Sequence, residues 1–84
     1  MMNHSETSAE KFIRHTAQDV YKGLTPGDKK YLRQYPETWE HKQGLGAYIR
    51  RHYITGKKLD FYCADEEVLS SRIVSSVILM VKEE

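Results

Sequence analysis

An all-α fold is what this sequence predicts, and three observations carry the prediction. Apolar residues recur at spacings of three and four through most of the 84 residues, the period of one face of a helix. Residues suited to starting and stopping helices stand at the ends of those stretches. Only one short stretch, Leu59-Asp60-Phe61-Tyr62-Cys63, reads as β material, and nothing else in the chain offers it a partner strand. The expected architecture is a compact bundle of four main helices plus a short helical turn, with an extended connector near residues 57–64.

Residues 1–5, Met-Met-Asn-His-Ser, are expected to be disordered, which leaves residues 6–84 as a single helical domain. Phe12, Ile13, Ala17, Val20, Tyr21 and Leu24 form the first apolar stripe, and Gly23 can end that helix. Thr25, Pro26 and Asp28 then suit the N-cap, first and third positions of a second helix, where a proline loses no hydrogen bond and a carboxylate meets free N–H groups. Tyr31, Leu32 and Tyr35 are its core candidates, with Lys29, Lys30 and Arg33 toward solvent. Pro36 disfavours helical geometry at Tyr35 and opens a short turn around Trp39. Gly44 is expected to end that turn. Leu45, Tyr48, Ile49 and His52 follow helical spacing and carry a third main helix to Ile54 or Thr55, closed by Gly56. Asp65 caps the last helix, with Glu66 and Glu67 favourably placed at the positive end of its dipole.

That last helix carries an unusually wide apolar surface. Val68, Leu69, Ile73, Val77, Met80 and Val81 make its stripe, and Val74, Ile78 and Leu79 broaden it. Three short neighbours are expected to leave the broadened part uncovered. Val74, Ile78 and Leu79 are therefore candidate interface residues, with a second copy of the chain as one candidate partner.

Composition narrows the class. Hydrophobic residues make up 39% and charged residues 30%, a globular balance rather than that of a disordered segment. The single cysteine, Cys63, has no partner for an internal disulfide and reads as a small hydrophobe. No stretch resembles a signal peptide or reaches the roughly 20 apolar residues of a membrane span, so a cytoplasmic protein without membrane association is expected. The formal net charge of +1 hides segregation: residues 29–58 carry eight basic side chains against two acidic, whereas residues 59–84 carry two against six. The basic middle is either a solvated, partly paired surface or a face for an anionic partner.

The densest chemistry lies between residues 36 and 53, which hold the only Trp, Gly44 and Gly46, Arg50 and Arg51, and His41 and His52. Trp39, His41, Arg50, Tyr53, Lys57 and Lys58 are the candidate binding residues. A helix starting near Gly44 would offer free N–H groups to an anion, although the two glycines lack the Gly-Lys-Ser/Thr ending of a phosphate loop. Arg50, Tyr53 and Lys57 share a helical face that can touch phosphates or stack on a base. No histidine pair has zinc spacing, and Glu40-His41 lacks a nucleophile or second carboxylate, so neither a metal, a cofactor nor an enzyme is expected.

The order Trp39, Gly44, Gly46, Ile49, Arg50, Tyr53, with Leu24-Thr25-Pro26 before it and the Asp65-led helix after it, resembles a family of small bacterial proteins of uncharacterised function. Their shared core looks like Trp-Glu-His, Gly-x-Gly, an aromatic-Ile-Arg helix and a closing amphipathic helix, and the resemblance spans residues 24–81. Lys42 and Gln43 are additional to that pattern, and Ile54-Thr55 stands where Leu-Trp is expected. The resemblance implies a bacterial cytoplasmic helical domain and no named activity. Together these readings point to a protein-interaction module whose partner is unknown, with nucleic-acid or other polyanion binding through residues 29–58 as the alternative.

Overall fold

The computed structural model describes residues 6–34 and 39–84, with the backbone alone at residues 39–43. The expectations for residues 1–5, Tyr35 and Pro36, and for the side chains of Trp39 and His41, lie outside what is described. Helix α1 spans Ser8–Gly23, α2 Pro26–Gln34, α3 Trp39–Ile49 and α4 Glu66–Lys82, with a π-helical turn at Arg50–Ile54 continuing α3. No strand occurs among the described residues. The fold is the expected all-α bundle.

Local chemistry fixes the helix starts. Thr7 and Glu10 form a reciprocal capping box on α1: the Glu10 N–H donates to Thr7 Oγ1 at 3.1 Å and the Thr7 N–H to Glu10 Oε1 at 2.9 Å. The same exchange joins Thr25 and Asp28 ahead of α2, at 3.0 and 3.1 Å, as Thr25-Pro26-Gly27-Asp28 predicts. Asp65 accepts from the N–H groups of Glu67 and Val68 at 2.9 and 3.3 Å, capping α4. Each cap satisfies donors that the first turn otherwise leaves free.

Helix α4 is the central element, and α1, α2, α3 and the π turn all pack on it. Leu69, Ser70, Ile73, Val74, Val77, Ile78 and Val81 are buried along it. They meet Ile13, Ala17 and Val20 of α1, Leu32 of α2, and Ile49 and Ile54 in one apolar cluster. This corrects the expected interface. Val74 is fully buried and Ile78 is 3% exposed, so the neighbours of α4 cover both sides of its stripe; Leu79 remains open, at 55% exposed.

Two corrections concern the glycine segment. Gly44 does not end a turn: α3 runs unbroken from Trp39 to Ile49, with Gly44 and Gly46 inside it. The N–H groups there belong to the helical ladder and are not free for an anion. After Ile49 the ladder widens, and the Thr55 N–H bonds to the Arg50 carbonyl at 2.7 Å, five residues back. The wider turn carries Ile54, five residues after Ile49, into the core at 2% exposed. His52, expected on the apolar face, is exposed instead and stacks on Tyr48 with ring centroids 4.2 Å apart. Gly56, at φ +76°, turns the chain out of the helix. Residues 57–64 then run as an irregular connector, and Phe61 packs its ring 5.5 Å from that of Phe12.

Candidate functional site

A groove of about 860 Å³ opens between the C-terminal half of α1, α2, the second half of α3 and the π turn. Its apolar lining comes from Val20 of α1, Leu24 of the link to α2, Leu32 of α2 and Leu45 of α3. Tyr31 and Tyr48 line it as well, each 48% exposed, with Tyr53 as a third ring. Asp19, Lys22 and Asp28 add charge. Half-exposed tyrosines beside aliphatic side chains give a surface with large apolar area and polar ends, the composition favoured where proteins meet.

The sequence accounts for this arrangement locally. Asp28 is held by its exchange with Thr25, which fixes the first turn of α2 and, one turn later, Tyr31 and Leu32. Gly44, exposed in mid-α3, has no side chain to fill the opening, and among the described residues no atom outside its own helix backbone lies within 4 Å of the position a Cβ would take. The π turn aims Tyr53 at α1, where its hydroxyl donates to the Asp19 carboxylate. That bond, helped by burial, pushes the Tyr53 phenol up to about 12 from its ordinary 10.0, because ionising it would set two negative groups together.

Arg50 is directed elsewhere. Its Nη1 donates to Ser70 Oγ on α4 at 2.8 Å, and the Ser70 hydroxyl donates to the Glu67 carbonyl at 2.9 Å. Gly46 lies under this contact: a Cβ there would be 3.5 Å from Arg50 Nη1 and 3.7 Å from Ser70 Oγ. An alanine fits at ordinary contact distance, whereas a longer side chain would displace the guanidinium. Gly46 thus lets the arginine lie along its own helix and reach a fully buried serine.

The expected basic face is not assembled. Arg50 reaches α4 and Tyr53 reaches α1, because a π turn spaces successive side chains differently from an α-helix. Lys57 and Lys58 are exposed on the connector beyond Gly56. Lys29 and Arg33 share the single carboxylate of Glu84, at 3.1 and 2.5 Å, which offsets part of the positive charge on α2. Of the candidate binding residues, the structure brings Tyr53 alone into the groove; Trp39 and His41 carry no described side chain.

Asp19 carries no signal of its own in the sequence, and Tyr31, Leu45 and Tyr48 read there only as core or helical-face positions; Tyr31 and Tyr48 are instead half exposed in the groove. Asp19 and Tyr53 are 34 residues apart, and the three tyrosines sit on three separate elements, so no local spacing could reveal their convergence. No cluster of three or more potential metal ligands occurs among the described residues, and no helix described is long and apolar enough to cross a membrane. Compared with protein-family models, curated proteins and solved structures, the chain has no match.

Proposed function

We propose that the protein is a small cytoplasmic interaction module, of bacterial origin by its sequence resemblance, that holds a segment of a partner protein in the groove between α1, α2 and α3. The groove itself carries the proposal: about 860 Å³ of concave space with aliphatic side chains beneath and three tyrosines around it. That volume suits a few side chains of a bound segment rather than a flat contact. Tyrosine gives contact area at low conformational cost and retains a hydroxyl for the partner backbone.

The self-association reading loses its main support with the burial of Val74 and Ile78. The polyanion reading is weakened, because Arg50 is turned to Ser70 and away from Lys57 and Lys58, and Lys29 shares Glu84 with Arg33. A protein partner seated on apolar lining should tolerate salt and nuclease, whereas phosphate contacts weaken steeply as salt rises.

Affinity capture from native lysate with wild type and Tyr48→Ser separates these readings, since Tyr48 is half exposed and its loss leaves the core intact. A specific protein recovered at moderate salt after nuclease treatment, and reduced at least tenfold by Tyr48→Ser, is the expected result. Recovery of nucleic acid, or of a protein indifferent to Tyr48→Ser, would exclude the groove as the site.

A further inference from the structure

On the other side of α2, three donors from two helices converge on one carboxylate. Lys29 and Arg33, one turn apart on α2, and Tyr21 on α1 surround the side chain of Glu84, just past the end of α4. Arg33 Nη2 lies 2.5 Å from Glu84 Oε1, and Lys29 Nζ lies 3.1 Å from Oε2. The Tyr21 hydroxyl also donates to Oε2. Lys29 Nζ sits 4.4 Å from the centroid of the Tyr21 ring, so the cation is steered by the ring face as well as by the anion. These contacts join residues 51 and 63 positions apart, and the hydrogen bond from Tyr21, followed by that from Lys29, holds the Glu84 carboxyl below its ordinary range.

Donors grouped in this way, one set for each oxygen, match a planar carboxylate. The occupant remains within reach of water. The Glu84 side chain is 31% exposed and those of Lys29 and Arg33 are 27% and 49% exposed, a setting in which water competes well with ion pairs. Glu84 lies beyond the last helical residue, Lys82, so its side chain can swing out without unwinding α4.

We propose that Tyr21, Lys29 and Arg33 form a carboxylate-binding site, that Glu84 occupies it in the resting protein, and that an acidic side chain of a peptide partner takes the place of Glu84. The site shares no residue with the groove, so either can fail without the other. Glu84 acts as a tethered competitor: while it is seated, the apparent affinity for an external carboxylate falls by the fraction of time the site is open.

The test uses a dye-labelled hexaglutamate peptide at low ionic strength, read by fluorescence anisotropy on the full chain. Glu84→Gln removes the charged occupant and should tighten binding about tenfold, as for a competitor seated roughly nine-tenths of the time. Glu83→Gln, which changes net charge equally without opening the site, should stay within about twofold of wild type by the same relation. Adding Lys29→Gln and Arg33→Gln to Glu84→Gln should abolish the gain, with the helical circular dichroism spectrum unchanged. Equal effects of the Glu83 and Glu84 substitutions would reduce the site to general electrostatics and overturn the proposal. So would a triple variant that keeps the gain, or displacement of the peptide from Glu84→Gln by inorganic phosphate at lower concentration than by acetate.

Discussion

Replacing Gly44 by alanine distinguishes a continuous α3 from a chain that breaks at the glycine, because the two predict opposite signs. In the structure Gly44 is exposed in the middle of an unbroken helix, and among the described residues an added Cβ would meet no atom within 4 Å beyond the backbone of its own helix. The methyl therefore causes no clash, and the effect is that of helix propensity and reduced freedom in the unfolded chain, a gain of about 0.5 to 1 kcal/mol. For a domain of this size that raises Tm by roughly 2 to 8 °C. Gly56 supplies the contrast: it also has open space around it but sits at φ +76°, where an L side chain costs about 1 to 2 kcal/mol. Urea denaturation of both variants, followed by circular dichroism, gives the two differences directly, and unchanged m-values would show that each acts on stability alone. A destabilised Gly44→Ala would refute the reasoning, since it would mean that Gly44 needs a backbone conformation closed to alanine.

The remaining predictions concern α4, Tyr53 and Arg50. Ile78→Ala should cost about 2 to 5 kcal/mol as a core truncation, while Leu79→Ala should fall within about 0.5 kcal/mol of wild type; similar losses at both would contradict the observed burial. Tyr53→Phe should lose about 1 kcal/mol in denaturant titration, a low value for a bond to a charged acceptor because the pair is partly open to water. The raised Tyr53 pKa favours the folded protein below pH 10 and that contribution should vanish as pH climbs from about 10 to about 12. Tyrosinate absorbance should show a late-titrating phenol that is missing in Tyr53→Phe. A double-mutant cycle of Arg50→Ala and Ser70→Ala should give a coupling of about 0.5 to 1.5 kcal/mol; additivity would place their hydrogen bond outside the solution ensemble.

Much of the fold was legible because its signals are local. The Thr25-Pro26-Gly27-Asp28 start, the Asp65 cap and the stripes of α1 and α4 all act over a single turn, so spacing reveals them. The π turn escaped that reading because Leu45, Tyr48, Ile49 and His52 fit α-helical spacing equally well; the burial of Ile54 is decided by tertiary packing on α4. Gly44 resembles a helix stop in sequence, yet an isolated glycine costs only about 1 kcal/mol inside a helix, less than packing can supply. The Thr7-x-x-Glu10 capping box is equally local, a helix start written in four consecutive residues. The width of buried surface on α4 was visible, but its cover was not, because helices flank it on both sides. The groove was the least legible part, since Asp19, Leu24, Tyr31, Leu45 and Tyr48 meet only after α1, α2 and α3 have packed.

Site-specific photocrosslinking in living cells tests the groove most directly. A photoreactive phenylalanine analogue replaces Tyr48 in one variant and Tyr62, 89% exposed on the connector, in another. A discrete protein adduct from position 48 and none from position 62 is the predicted result. The contradictory result is no adduct from position 48, or the same adduct from both positions, either of which would show that partners do not meet the protein at this groove.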